Sequence, residues 1–144
     1  MDQIVIRQIT GVSEATRVSL NKLLLQLSSR GYQLSSKEFQ RVLSSDNIYL
    51  LGLYCNRELV GTISLVELNQ ITGHKGYLED IVVDAGHRRK GYATALIKKA
   101  ITLAKQLKIY RLELKSETAR RGANKLYKKL GFKQKEANVY QILL

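Results

Sequence analysis

Three consecutive cations and a glycine, placed directly before a predicted helix, are residues that could bind a phosphate or pyrophosphate group. Gly91 lets the backbone approach a ligand closely, and Ala93 is small enough not to block that approach. A helix N-terminus offers unpaired N–H groups and the positive end of the helix dipole, and the cations add to the same field. The sequence therefore predicts an anion site on the backbone amides of Arg88, Arg89, Lys90, Gly91, Tyr92, Ala93 and Thr94.

Two adjacent carboxylates, Glu79 and Asp80, lie in the strand predicted before this loop. A carboxylate can act as a general base or orient a charged group of a substrate. Because successive strand residues face opposite ways, only one carboxylate is expected to line a cleft, and we favour Glu79 over Asp80. The alternative is that one of them merely pairs with a neighbouring lysine or arginine, an interaction that is common and weak.

Tyr127 is a candidate proton donor on a later predicted helix. Its phenol lies beside the apolar face of that helix and could point out of the core toward a neighbouring cleft. Gly131, just after the helix, suits a left-handed C-cap. The alternative is that Tyr127 only packs against the sheet, as amphipathic tyrosines often do. The apolar face itself comprises Ala119, Ala123, Leu126 and Leu130.

A strand, a helix and a second strand are predicted around the cationic loop. The β-branched run at residues 81–83 predicts the first strand, and residues 109–115 predict the second. Between them, apolar residues recur with a 3.6-residue period, which predicts an amphipathic helix. That helix presents one apolar face, made of Ala93, Leu96, Ile97, Ala100, Ala104 and Leu107.

The rest of the chain predicts further strands and helices, without a linker, a repeat or a low-complexity segment. A first helix is expected at residues 14–29, and Ser35 with Glu38 forms a capping box for a second. Alternation and β-branched residues predict the strands. The first strand is expected at residues 4–9. Residues 48–55 and 59–68 are expected to form a hairpin that turns at Asn56 and Arg57. Two further strands are expected, one from Phe132 onward and one at residues 138–144.

Length and composition are those of one globular domain, residues 1–144, with a core of its own. No apolar run approaches the roughly 20 residues that span a bilayer, and the alternating N-terminus lacks the apolar core of a signal peptide. Cys55 is the only cysteine, which excludes an internal disulfide and a cysteine metal site, and His74 and His87 are too few to form a metal site. We therefore expect a cytoplasmic protein without a bound metal.

A formal net charge of +12 favours binding to anionic partners of three kinds: nucleic acid, an acidic membrane surface and anionic small molecules. The lysines are scattered along the exposed sides of the predicted helices. The chain has no tryptophan and no alternation of aromatic and basic residues that would stack bases. Solvated surface charge is thus the default interpretation, and a nucleic-acid-binding module is a minority alternative.

Two motifs resemble those of the GNAT superfamily, the acyl-CoA-dependent N-acetyltransferases. Arg88, Gly91 and Ala93 have the Arg-x-x-Gly-x-Ala spacing of its pyrophosphate-binding signature. Tyr127 opens a run similar to its element of a tyrosine, two polar residues and Leu-Gly-Phe. The predicted order, β-α-α-β-β-β-α-β-α-β-β, also matches the GNAT arrangement. The resemblance implies an α/β (α+β) fold with a mixed central sheet of about seven strands, about four flanking helices, and splayed fourth and fifth strands that admit the pantetheine arm.

The resemblance also implies a reaction. The protein would transfer an acetyl group from acetyl-CoA, its co-substrate, to a primary amine of a small acceptor, by direct attack in a ternary complex. Glu79 or Asp80 would act as the base, and Tyr127 would protonate the leaving thiolate. A backbone N–H near Val83 would bind the developing oxyanion. Further contacts to the cofactor are expected from Ile81, Val82, Val83, Asn124 and Tyr127.

The strand around Glu79 and Asp80 is similar to that of GNAT members acting on small amines, such as glucosamine-6-phosphate N-acetyltransferases. Together with the net charge, this favours an acceptor with an anionic group, held by a cation such as Arg30, Arg41 or Lys75. The alternatives are a protein or peptide N-acetyltransferase and a non-catalytic acyl-CoA-binding module. A homodimer is left open.

The chain departs from the GNAT pattern at two places. A proline that is common before the signature arginine is replaced by Ala85 and Gly86. Arg120 stands where many members carry an asparagine. Neither change removes a backbone donor from the cationic loop, but the second replaces a side chain that contacts CoA in those members.

Overall fold

The computed structural model describes residues 1–28 and 31–144, and the chain forms two compact units. The first unit, residues 1–114, contains the β-sheet and three α-helices. The second unit, residues 115–144, is described throughout and contains one α-helix. That the whole chain, residues 1–144, acts as one domain stays a prediction.

The first unit is built on a mixed sheet of five strands. These are β1 (Ile4–Gln8), β2 (Ile48–Cys55), β3 (Glu58–Gln70), β4 (Gly73–Val83) and β5 (Arg111–Glu113). They lie in the sheet in that order, antiparallel from β1 to β4, with β5 parallel to β4 at the edge. The hairpin between β2 and β3 turns at Asn56 and Arg57, whose φ angles of 50° and 73° suit the tight turn expected from the sequence.

Three α-helices cover the two faces of this sheet: α1 (Glu14–Leu27), α2 (Ser36–Leu43) and α3 (Tyr92–Gln106). The first begins at a serine N-cap, Ser13, which accepts a hydrogen bond from the Thr16 N–H at 3.1 Å. The second begins at Ser35, which accepts from the Glu38 N–H at 3.1 Å. Ser35 is thereby confirmed as the cap that the sequence predicts.

The helices bury apolar residues on both sides of the sheet. Those of α1 and α2 form a cluster with the strands, comprising Ile9, Leu20, Leu23, Phe39, Leu50, Leu59 and Val82. On the other face, a side chain added at Gly61 of β3 would meet Leu96 of α3. Leu96, Ile97 and Ala100 are fully buried, which confirms the predicted apolar face of α3. Burying a side chain such as leucine or isoleucine stabilises the fold by roughly 1.5–3 kcal/mol.

The pairing of β4 with β5 shows where the sheet opens. β5 pairs with β4 only at Lys75, Gly76 and Tyr77. The remaining residues of β4, 78–83, continue beyond the end of β5. The parting of the fourth and fifth strands, which the resemblance predicts, is therefore confirmed.

A β-bulge interrupts β4 at Asp80. Between the paired positions Glu79 and Val82, two residues of β4 lie opposite the single residue Ile63 of β3. Asp80 has a φ of 53°, in the left-handed region that few non-glycine residues adopt. The strict alternation expected along this strand does not hold here, and Glu79 and Asp80 are both exposed.

The second unit contains α4 (Arg121–Lys129), followed by Gly131 with a φ of 98°, the left-handed conformation predicted for the end of this helix. Within residues 130–144, all of which the structure describes, no strand forms, and the sheet has five strands rather than about seven. Alternating apolar residues indicate which side chains could face a core, but a strand also needs a neighbour to bond its N–H and C=O groups. Tyr140, Ile142 and Leu144 are exposed.

Among the residues that the structure describes, no helix is both long enough and apolar enough to cross a bilayer. Within residues 1–28 and 31–144, no three His, Cys, Asp or Glu side chains are grouped so that they could hold a metal ion. The thiol of Cys55 is free and buried, as its position in a strand predicts.

Candidate cofactor and active site

The loop before α3 leaves backbone N–H groups without partners in the helix. α3 begins at Gly91 as its N-cap, which has no side chain to accept a hydrogen bond from the first turn. The first backbone bond of the helix runs from the Ala95 N–H to the Gly91 carbonyl oxygen, at 3.0 Å. The N–H groups of Tyr92, Ala93 and Thr94 therefore have no acceptor within the helix and can bind an external anion.

Gly91 keeps this helix N-terminus accessible. Its φ of 78° is left-handed, and a Cβ added here would meet no atom of the described residues within 4 Å. Arg89 is left-handed as well, with a φ of 63°. Turns that contain such residues point successive N–H groups into a concave nest that binds anions. This geometry fits a pyrophosphate group.

The side chains of the loop differ in what they contact. The Arg88 guanidinium donates from Nε to the Val83 carbonyl oxygen at 3.1 Å, which ties the loop to the end of β4. The Lys90 ammonium lies 3.6 Å from a carboxylate oxygen of Asp2, and both side chains are exposed. An exposed pair of this kind is weak, so Lys90 is available to a bound phosphate. Tyr92 is buried and offers its backbone N–H.

A short 3₁₀ turn, Ala85–His87, carries the chain from β4 to this loop. One carboxylate oxygen of Asp84 accepts from the Gly86 N–H at 3.1 Å and lies 2.9 Å from His87 Nδ1. The other oxygen accepts from the side-chain amide of Gln26 in α1 at 2.8 Å. Hydrogen bonds from Gln26 and His87 lower the pKa of Asp84, so its carboxylate is ionised at neutral pH.

Glu79 and Asp80, the two candidate bases, lie at the bulge, where β4 has passed the end of β5. Both residues are exposed and can reach a ligand. Surrounding protein atoms nevertheless displace water from around the Asp80 carboxyl group, and this burial raises its pKa. A raised pKa makes a carboxylate a stronger base, which strengthens Asp80 as a candidate beside Glu79.

The last residues of β4, Ile81, Val82 and Val83, can offer backbone groups to a ligand. The side chains of Val82 and Val83 are buried, and Val82 belongs to the cluster with α1 and α2. Beyond Tyr77 this edge of β4 has no pairing with β5 in the part of the chain that the structure describes. An extended ligand lying along this edge could bond to its N–H and C=O groups, as an added strand would.

Asn124 and Tyr127 lie on α4 in the second unit. The Asn124 side-chain amide donates to the Glu117 carbonyl oxygen at 3.0 Å. Tyr127 is 8% exposed, and its ring packs edge-on with that of Phe132, with the centroids 6.2 Å apart. Burial raises the pKa of Tyr127, although the positive charge of Arg120 partly offsets the shift. The phenol therefore keeps its proton at neutral pH and can donate it.

Lys75 and Arg111 are neighbouring cations, paired in register on β4 and β5. Lys75 is 9% exposed, and its ammonium donates to the Thr72 hydroxyl at 3.0 Å. Arg111 Nε lies 2.9 Å from a carboxylate oxygen of Glu113, which is within ion-pair distance. This buried nitrogen nevertheless makes no hydrogen bond to any described residue. Arg111 lies against a carboxylate whereas Lys75 bonds to a hydroxyl, so the two cations keep a net positive charge that could hold an anionic group.

Of the three cations that the sequence suggests for an acceptor anion, two lie in the described part of the chain. Lys75 belongs to the pair with Arg111, and Arg41 is exposed on α2. Arg30 lies outside the described residues. Sequence reasoning missed Arg111 and Gln26, because only the register of β5 and the packing of α1 bring them to these positions.

Comparison with known proteins finds relatives of this chain. Residues 20–132 match the family model described as "Acetyltransferase (GNAT) family". The chain is 31% identical over 116 residues to streptothricin acetyltransferase from Escherichia coli, a match that covers 75% of this chain and 65% of that protein. The chain therefore spans slightly less than two thirds of the length of this curated relative.

Solved structures share the fold. An aminoglycoside acetyltransferase from an uncultured soil metagenomic sample has a TM-score of 0.80 and 26% identity, over 99% of both chains. An aminoglycoside N-acetyltransferase in complex with CoA has a TM-score of 0.80 and 15% identity, over 99% of this chain and 96% of that one. At 15% identity the likeness establishes a common fold.

Proposed function

Because this chain belongs to the acetyltransferase (GNAT) family, we propose that it transfers an acetyl group from acetyl-CoA to a primary amine of a small anionic acceptor, by direct attack in a ternary complex. One observation carries the proposal. The N-terminus of α3 presents the N–H groups of Tyr92, Ala93 and Thr94 behind a glycine with open surroundings. Unpaired N–H groups at the positive end of a helix suit the pyrophosphate of coenzyme A.

The residues present fit acetyl-CoA, which would supply the acyl group activated as a thioester. The loop from Arg88 to Gly91 and the first turn of α3 would hold the pyrophosphate, with the Lys90 ammonium adding a charge contact. Within residues 1–28 and 31–144, no atom fills the space where a Cβ of Gly91 would lie, so a phosphate can approach the backbone. The unpaired edge of β4 at residues 81–83 would bond to the pantetheine arm.

The carboxylates at the bulge would take the proton of the acceptor amine. An alkylammonium with a pKa of about 10 is charged at neutral pH and cannot attack until a base removes its proton. Glu79 would orient the amine or accept its proton. Asp80 is the second candidate, and burial strengthens it as a base because it raises the pKa.

Two donors would neutralise charge as the C–N bond forms and the C–S bond breaks. A backbone N–H near Val83, on the unpaired edge of β4, would bind the oxygen on which negative charge develops. Tyr127 would give its phenolic proton to the leaving sulfur, which departs as a thiol. The phenol is protonated at neutral pH, as a general acid must be, although the raised pKa of Tyr127 makes it a weaker acid than a free tyrosine.

The acceptor's anionic group would bind at Lys75 and Arg111. Lys75 alternates with Tyr77 and Glu79 along β4, so all three face the same side of the sheet. At about 3.3 Å per strand residue, Lys75 lies roughly 13 Å along the strand from Glu79, which suits a small molecule whose amine and anion are several bonds apart. Streptothricin acetyltransferase and the aminoglycoside acetyltransferases support a small acceptor by what their names say they act on, whereas the anionic group of the proposed acceptor rests on Lys75 and Arg111.

Binding of acetyl-CoA, followed by a panel of amines, tests this function. We expect acetyl-CoA to raise the melting temperature by an amount that grows with the logarithm of its concentration once that concentration exceeds the dissociation constant. Release of free thiol would then be compared for amino sugar phosphates, aminophosphonates and amino acids against spermidine and lysine peptides. Anionic amines should react fastest, and added salt should slow them because it screens Lys75 and Arg111. No binding of acetyl-CoA, or a preference for spermidine, would overturn the assignment.

A further inference from the structure

Gln26, in the last turn of α1, makes two hydrogen bonds to the turn that leads into the anion loop. Its Nε2 donates to a carboxylate oxygen of Asp84 at 2.8 Å, and its Oε1 accepts from the Ala85 N–H at 2.8 Å. Gln26 and Asp84 are 58 residues apart in the chain. One side-chain amide therefore uses its donor and its acceptor to join α1 to this turn.

The contact requires the chemistry of a neutral side-chain amide. A carboxylate at position 26 could accept from the Ala85 N–H, but it would place a second negative charge beside Asp84. The partner at position 85 must carry a backbone N–H, which a proline would lack. Gln26 is exposed and lies outside the apolar cluster of α1, so the core does not depend on it.

We propose that Gln26 is a positioning residue that holds the turn Ala85–His87, and through it the anion loop, in the shape that binds the pyrophosphate of acetyl-CoA. This role rests on the proposed function, since it concerns the binding of that co-substrate. The turn and the loop are consecutive, and the Arg88 side chain that follows the turn is bonded to the end of β4. Movement of the turn would therefore displace the backbone amides of the loop.

The same contact couples the C-terminal end of α1 to the bound co-substrate. Gln26 belongs to α1 and bonds to the turn, so a ligand that fixes the turn also restricts the end of this helix. Coupling between two sites is reciprocal. Anything that fixes the end of α1 should therefore raise the affinity for acetyl-CoA.

Three variants separate this role from a general change in charge or packing. Gln26→Leu keeps the approximate size and removes both hydrogen bonds. Gln26→Glu keeps the size and adds a charge beside Asp84. Gln40→Glu makes the same charge change at an exposed glutamine of α2 and is the control. We expect Gln26→Leu to raise the dissociation constant for acetyl-CoA at least about fivefold at every pH, which is the effect expected if only one of the two lost hydrogen bonds supports binding.

The affinity of Gln26→Glu for acetyl-CoA, relative to that of the wild type, should depend on pH. Asp84 and His87 are the titratable groups bonded to this network within the described residues, and the Arg88 cation follows them. Two facing carboxylates retain a shared proton at a higher pH than one alone, and a protonated glutamate can donate to Asp84 as glutamine does. Relative to wild type, Gln26→Glu should bind acetyl-CoA about tenfold more weakly at about pH 8 and recover toward about pH 5.5.

Hydrogen exchange provides a readout separate from affinity. Acetyl-CoA should slow exchange at residues 22–28 in the wild type and in Gln40→Glu, but not in Gln26→Leu. If the wild type binds acetyl-CoA and Gln26→Leu binds it equally, with the same protection, the role of Gln26 is wrong and the proposed function stands. If the wild type does not bind acetyl-CoA, the proposed function and the role of Gln26 fail together.

Discussion

Replacing Gly91 with aspartate would place a carboxylate at the N-terminus of α3, where we expect the pyrophosphate to bind. In the part of the chain that the structure describes, a Cβ at this position meets no atom within 4 Å, so there is room for the new side chain. The φ of 78° is unfavourable for a residue with a Cβ and should cost about 1–2 kcal/mol of folding free energy. A domain of ordinary stability would remain folded after a loss of that size.

Gly91→Asn is the matched control, because asparagine has the size of aspartate and both tolerate the left-handed conformation better than most residues. The two variants then differ by one charge. At about 5 Å from a phosphate, with an effective dielectric constant of about 40, that charge costs about 1.7 kcal/mol, or roughly 20-fold in the dissociation constant. A pyrophosphate brings more than one negative charge near this position, so about 20-fold is the smallest effect that we expect.

Titration calorimetry with acetyl-CoA at low salt and at about 0.5 M salt measures this effect. Gly91→Asp should bind at least about 20-fold more weakly than Gly91→Asn at low salt, and the difference should shrink at high salt because the charges are screened. Urea melts should place the two variants within about 1 kcal/mol of each other, since a charge at a helix N-terminus has an effect of that size at most. Equal affinities of the two variants would refute the placement of the pyrophosphate at this loop.

Two further predictions concern the candidate catalytic groups. Tyr127→Phe removes only the hydroxyl, so the rate constant of the chemical step should fall about 10²-fold while the affinity for acetyl-CoA and the melting temperature change little. A full-rate variant would assign Tyr127 to core packing. Burial raises the pKa of Asp80 in the folded protein, so its contribution to stability is present in acid and is lost as the pH rises through the raised value. Asp80→Asn should therefore be more stable than the wild type in urea melts at neutral pH, with the advantage fading toward about pH 4, and lower stability at neutral pH would contradict this.

The sequence predicted the central helix and its neighbours well because their signals are local. The 3.6-residue period that places Leu96 and Ile97 on one face depends on nearby residues alone, and both are buried as expected. Gly91 likewise marks the start of α3 by its own backbone freedom. The assignment of acetyl-CoA to this helix N-terminus stays a prediction, because a motif indicates a ligand without testing its binding.

What the sequence did not predict depends on contacts between distant segments. The pairing of Lys75 with Arg111 follows from the register of two parallel strands, which no local pattern determines. The two hydrogen bonds of Gln26 depend on how α1 packs over the sheet. The C-terminal residues 138–144 alternate as a strand does, but alternation is a property of the segment, whereas strand formation also requires a partner.

The bulge at Asp80 changes which side of the sheet the preceding side chains of β4 face. Val82 faces the side of the sheet that carries α1 and α2, and in a regular strand Glu79 would face α3 instead. The additional residue opposite Ile63 reverses this, so Glu79 returns to the side of Val82. Deleting one residue at the bulge would turn Glu79 toward α3. Tyr77 and Lys75, which precede Glu79 in the strand and face the same side, would turn with it. The direction of the candidate base is thus determined by the number of residues in the strand as well as by their identity.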